Sequence, residues 1–233
     1  MLGYFDPTYW MLMLPGLVLV VVAQLWVKAT YRKWGNVRST SGLSGADAAR
    51  RLITYSGLQD ISLEGTAGAL TDHYDPRRRV LRLSAGVAQS PSVASLAITA
   101  HEIGHALQDR AGYLPLRLRS ALVPAVNLGS WLGWILIFVG LLLRSVDLAW
   151  LGVIAFAGGA LFALATLPVE LNASSRARAL VAEAGLAMGE DERRGVNAML
   201  NAAAFTYVAA LATAALQLLY YVLLVGGLGR RRR

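Results

Sequence analysis

The sequence predicts an α-helical membrane protein with about four transmembrane helices, carrying a small α+β domain. Three observations carry this prediction. Hydrophobic residues make up 56% of the 233-residue chain and charged residues only 15%, well off the balance of a soluble domain in both directions. The apolar residues are gathered into four uncharged runs, each long enough to cross a bilayer. Between the first and second of these runs, residues 28–120 return to the composition of a soluble domain. Cysteine is absent, which excludes disulfides, cysteine-ligated zinc and a thiol nucleophile. The net charge of +8 is read as arginines flanking the spans, and no nucleic-acid partner is expected.

The first transmembrane helix is expected over residues 9–27, with Trp10 to Val27 uncharged and Gln24 its one strongly polar residue. Asp6 precedes it and Lys28, Arg32, Lys33 and Arg38 follow it, so the positive-inside rule puts residue 28 onward in the cytoplasm. Ser44 to Gly57 reads as a short helix, with Ser44 as N-cap and Gly57 as the C-terminal stop. Asp75-Pro76 is a turn signal, and Val80 to Leu83 a short strand. Together they predict a β-hairpin, or a strand with a tight turn, leading into the next helix. That helix is expected to start near Pro91 and to end before Gly112.

Transmembrane helices 2 and 3 are expected as a hairpin over residues 124–167, broken only by Arg144 and Asp147. Gly129 and Gly133 form a small-xxx-small pair suited to close helix approach. Residues 168–200 return to polar composition, first as a helix to about Ala184 and then as a connector over Gly189 to Gly195. A fourth transmembrane helix is expected over residues 201–228, followed by a basic tail at 229–233. Seventeen of the 22 Lys and Arg residues fall in the two segments assigned to the cytoplasm, and five outside them: Arg144 and the Arg230–Arg233 run. The bulk of the charge sets the orientation; the terminal run opposes it.

The chemistry is concentrated in His101-Glu102-Ile103-Gly104-His105. Four residues apart on a helix, His101 and His105 share one face. Two neutral imidazoles there can reach one Zn²⁺, and Glu102 beside them can take the proton of an activated water. The neighbours Leu96, Ala97, Ala100, Ile103 and Ala106 are apolar nearly all round, so the helix is expected to be buried, where polar groups need partners. The alternative is a pair of hydrogen-bonded core histidines beside a chance glutamate. His73, the third and last histidine, is either a further ligand or transition-state donor, or a hydrogen-bonded turn residue. A longer motif with a third histidine on the same helix is excluded, because position 108 is Gln and position 111 is Ala.

The third ligand must therefore come from elsewhere. A hairpin over 124–167 returns the chain to the side of His101, and Glu170 stands at that re-entry, on the expected first turn of a helix. Asp109 lies too far along the helix to share the ion and is expected to orient a ligand or to cap a neighbour.

Leu70-Thr-Asp-His-Tyr-Asp-Pro-Arg77, Leu81 to Ser84, Ala100 to Gln108, Leu116 to Ser120 and Leu167-Pro-Val-Glu-Leu-Asn-Ala-Ser174 together resemble the YugP-like, membrane-bound putative neutral zinc metallopeptidase family of bacteria. The resemblance covers nearly the whole chain. It implies a zincin-like catalytic domain and a multi-pass protein of the bacterial plasma membrane. By similarity to the broader zinc peptidases that draw a glutamate from a second helix, it also implies Glu170 as a zinc ligand. Those peptidases often carry an aspartate four residues further on, where this chain has Ser174; a serine can hydrogen-bond a ligand histidine but brings no charge.

The expected function is that of a membrane-bound zinc metalloendopeptidase. Zn²⁺ is held by His101, His105 and Glu170, Glu102 acts as general base, and His73 or Tyr74 stabilises the oxyanion. The strand preceding the motif helix is expected to pair edgewise with a peptide or protein substrate, a membrane protein included. The alternative is a catalytically silent, zinc-bearing membrane adaptor or regulatory protein. A solute transporter would need ionisable residues inside the spans, and these are charge-free.

Overall fold

A computed structural model describes residues 7–230, with the side chains of residues 125, 127 and 228–230 left aside. Most of the expected basic tail, and Asp6, lie outside the described residues. In chain order the elements are α1 (Pro7–Gly35), α2 (Gly45–Tyr55), β1 (Ser62–Thr66), β2 (His73–Asp75), β3 (Val80–Ser84), α3 (Ala85–Gln89), α4 (Val93–Arg110), α5 (Leu114–Leu142), α6 (Val146–Glu183) and α7 (Glu190–Arg230). They form two compact units, one of residues up to Ala23, Arg117–Pro168 and Thr206 onward, the other of Gln24–Leu116 and Val169–Phe205.

In the first unit the helices are apolar and many of their large side chains, Leu17, Val18, Leu128 and Trp131 among them, are exposed, which suits contact with lipid. By length and composition, Pro7–Gly35, Val146–Glu183 and Glu190–Gly227 can cross a membrane. The expected second span is a bent pair, Leu114–Pro124 and Leu128–Leu142, at 49° to one another, so the count is four only if that pair is one span. Gly133 lies against the next helix, where an added Cβ would stand 2.9 Å from the Gly152 carbonyl oxygen. The small residue lets the α5 and α6 backbones approach.

The second unit is an α+β body around a three-stranded sheet of order β1-β3-β2. β1 runs parallel to β3, and β2 antiparallel to it with His73 opposite Arg82 and Tyr74 opposite Leu81. The hairpin signal at Asp75-Pro76 thus corresponds to β2 and β3. β3 has a neighbour on both edges and cannot pair edgewise with a substrate, which corrects that expectation; the outer edges of the sheet belong to β1 and β2. The core gathers Leu52 of α2, Leu81 and Leu83 of β3, Val93, Ala97 and Ile103 of α4, Leu180 of α6 and Leu200 of α7.

α2 is capped as expected, Asp47 N–H donating to Ser44 Oγ at 3.2 Å. α4 starts later than Pro91 suggests: Ser92 is its N-cap, accepting from the Ser95 N–H at 3.1 Å. The hydroxyl satisfies an orphan amide of the first turn, so the proline precedes the helix. At the other end Gly112 takes φ +61°. Its N–H donates to Asp109 O, and that of Tyr113 to Gln108 O, the paired closure that a left-handed residue permits.

Two expected boundaries are corrected. Pro168 does not begin a helix; α6 runs through it from Val146 to Glu183, so Glu170 lies mid-helix and not on a first turn. A proline in a long apolar helix costs one backbone bond, which the continuing helix on either side outweighs. The connector expected over Gly189 to Gly195 is also shorter, because α7 begins at Glu190. Its acidic first turn suits the helix N-terminus. Glu192 there is buried and accepts from Thr40 N at 2.7 Å and Thr40 Oγ1 at 2.6 Å.

Candidate metal centre

The site is built where α4 meets α6, within the second unit. The approach is close because Gly104, inside the histidine motif, has no side chain: a Cβ there would stand 2.5 Å from the Ala173 carbonyl oxygen. Gly104→Ala must push the two helices apart or strain them. We expect it to cost about 1–3 kcal/mol and to weaken metal binding, measured by thermal unfolding with and without zinc. An unchanged midpoint in both conditions would refute the role of this contact.

His101 and His105, one helical turn apart, stand with ring centroids 4.8 Å apart and planes at 84°. From α6, Glu170 Oε2 lies 3.2 Å from His101 Nε2 and 3.5 Å from His105 Nε2. The Glu170 side chain is 1% exposed and the two histidines 12% each. One donor atom from each of the three residues falls within 4.8 Å of the others. Two imidazoles and a carboxylate so grouped are a donor set suited to zinc, leaving room for further coordination.

Behind the donors, both outer imidazole nitrogens have partners. His105 Nδ1 faces Gln108 Oε1 at 3.0 Å, and His101 Nδ1 faces Ser174 Oγ at 3.2 Å. The hydrogen bond available to a serine at 174 is therefore present. Burial disfavours the His105 imidazolium, but the Glu170 and Glu102 carboxylates outweigh it and lift the His105 pKa above that of an ordinary histidine.

Glu102 is buried on α4 beside this group. Burial pushes its carboxyl above the usual carboxylate range, opposed by His101 and His105, reinforced by Glu170, and opposed again by the Tyr74 N–H. That N–H, on β2, donates to Glu102 Oε2 at 3.0 Å. The Tyr74 hydroxyl donates to Asp109 Oδ2 at 2.9 Å; burial, then this carboxylate, raises the phenol's pKa. Tyr74 thus ties β2 to α4 at two points, and the group that Asp109 receives is Tyr74, a residue outside the three metal donors.

His73 is not brought into this group by any contact among the described residues. Strand alternation turns it to the opposite face of β2 from Tyr74. There it is exposed, with Nδ1 2.8 Å from Thr71 O and Nε2 3.3 Å from Arg82 Nη1. Arg82 also pairs with Glu64 at 3.0 Å and Asp75 at 3.3 Å, so His73 joins an ionic cluster on the outer sheet face. Sequence reasoning passed over Gln108 and Asn172. The available signal was a glutamine three residues after a motif histidine on a helix expected to be buried.

Over 202 residues the chain is 44% identical to "Putative membrane protease YugP" of Bacillus subtilis (strain 168), covering 87% of this chain and 89% of that protein. No solved structure matches. The sequence profile of the family described as "Putative neutral zinc metallopeptidase" matches residues 9–226, nearly the whole chain and both helices of the site, and the chain belongs to that family.

Proposed function

We propose that this chain is a membrane-bound zinc metalloendopeptidase, with His101, His105 and Glu170 as zinc ligands and Glu102 as general base. The observation that carries the reading is the convergence of three donor atoms within 4.8 Å beside a buried carboxylate on the same helix. Zinc held there supplies Lewis-acid polarisation of a scissile carbonyl and a water of lowered pKa. Glu102 accepts the proton of the attacking water and passes it to the leaving amine. A carboxyl whose pKa burial has raised is suited to that exchange near neutral pH. Because Oε2 is engaged by Tyr74 N–H, Oε1 is the oxygen that takes the proton. The reading gives His73 no proton-transfer step, since both its ring nitrogens face other groups. It treats the second unit as a zincin-like catalytic domain, supported by the motif helix packing beside a small mixed sheet. Purified protein is expected to hold about one zinc per chain, the load of a single catalytic site, and to lose hydrolysis of an unstructured protein on chelation. Zinc should restore it. Metal-free protein that still hydrolyses the substrate would overturn the assignment.

The site is proposed to face the cytoplasm, because 13 Lys and Arg residues lie between Lys28 and Arg119. Arg78 and Arg193 are both exposed, in a chain without cysteine. Arg78→Cys and Arg193→Cys should resist an impermeant thiol reagent in intact cells and react after permeabilisation. Labelling of either in intact cells would reverse the orientation.

A further inference from the structure

The amide of Gln108 is fully buried between α4 and α6, and the groups around it leave it one orientation. Arg176 Nε donates to Asn172 Oδ1 at 2.8 Å. A guanidinium has no acceptor, so the Asn172 atom facing it is oxygen. The same oxygen lies 3.0 Å from the Gln108 amide, and the Val169 carbonyl oxygen lies 2.7 Å from it. Both neighbours are acceptors, so the Gln108 atom between them is the NH₂ group. Its remaining atom, Oε1, then points at His105 Nδ1, 3.0 Å away. An amide oxygen only accepts, so that ring nitrogen must carry hydrogen.

We infer that Gln108 is a positioning residue, which with Asn172 and Arg176 holds hydrogen on His105 Nδ1 and so keeps Nε2, the nitrogen on the Glu170 side, as the one that would bind a metal. The proton is thus set by a chain of fixed donors and acceptors that begins at an arginine. The backbone oxygen of Val169 adjoins Glu170 in sequence, so one amide sets both the ring of one donor and its place relative to the other. His101 lacks such a device. Its Nδ1 meets the Ser174 hydroxyl, which rotates and can donate or accept, so Ser174 leaves the His101 tautomer open.

This inference rests on the zinc-site reading for its purpose, but its test does not need zinc. With only three histidines in the chain, histidine labelled with ¹⁵N gives three resolvable pairs of ring signals in the full-length protein in detergent, assigned with His73→Gln. In metal-free wild-type protein, at a pH high enough to leave imidazoles neutral, His105 should show hydrogen on Nδ1. An Nε2–H tautomer for His105 would overturn the inference outright, and no variant is needed to see it. Gln108→Met, whose thioether is only a weak acceptor, should remove that preference and weaken zinc binding about 10–100-fold in a chelator competition, the usual effect of losing a ligand's outer partner. Gln108→Glu keeps an acceptor against Nδ1 while losing both donors, and should recover the tautomer and most of the zinc affinity despite a lower unfolding temperature. Ser174→Ala should leave His105 unchanged. If Gln108→Glu behaved like Gln108→Met, or if Ser174→Ala moved His105 as far, the amide would be a helix tie and nothing more. Failure of the wild-type protein to bind zinc while His105 keeps its Nδ1–H would count against the peptidase reading and leave the relay standing.

Discussion

Glu102→Gln is expected to keep zinc and lose hydrolysis. The two side chains have nearly the same shape, and the glutamine oxygen can still accept from the Tyr74 N–H that now holds Glu102 Oε2 at 3.0 Å. The packing around this buried position is therefore preserved. What is lost is a group able to take a proton from water and return it to the amine. Removing a positioned general base lowers turnover by about 10²–10⁴-fold, or roughly 3–5 kcal/mol of transition-state stabilisation. Because Glu102 is assigned no place among the ligands, zinc content measured on the same preparation should match the wild type. The comparison also separates the peptidase from a silent zinc-bearing adaptor, for which the substitution would change neither binding nor any turnover. Wild-type turnover in the Gln variant would remove Glu102 from the mechanism.

Glu170→Ala should empty the site, whereas Glu183→Ala should leave it filled. Both acids belong to the continuous helix α6. They stand 13 residues apart, about 20 Å at 1.5 Å rise per residue, so both cannot serve one ion. Glu170 is 1% exposed and its Oε2 faces both imidazoles; Glu183 is exposed in the last turn. Without Glu170, two histidines remain, fewer than the three protein ligands of a catalytic zinc. Zinc per chain in the purified variants, with helix content recorded to show that each is folded, decides the matter. Retained zinc in Glu170→Ala together with loss in Glu183→Ala would reassign the third ligand.

The chain's local chemistry was legible without a structure wherever the signal stays within one helical turn or one tight turn. The spacing of His101 and His105 places them on one face because an α-helix repeats every 3.6 residues, whatever surrounds it. Ser44 caps α2 and Gly112 closes α4 for equally local reasons. Asp75-Pro76 announced the hairpin, and long uncharged runs announced helices able to cross a membrane. Glu170 was within reach because the hairpin of α5 and α6 must return the chain, although its expected position on a first helical turn did not hold.

Tertiary packing decided the rest. β1, a five-residue strand reading Ser-Leu-Glu-Gly-Thr, has no periodicity of its own and exists as a strand only because β3 pairs with it. α6 passes through Pro168 because the residues on both sides favour helix more than one proline opposes it. His73 sits in the conspicuous Asp-His-Tyr-Asp-Pro stretch, yet strand alternation gave the α4-facing position to Tyr74. Gln108 looked like a mere interruption of a longer motif; its part depends on Val169 and Asn172, more than 60 residues away. Sequence alone determines which groups share a helical face, because that geometry is intrinsic to the backbone. Which helix comes to meet that face, and which proton its histidines carry, depends on packing between segments far apart in the chain.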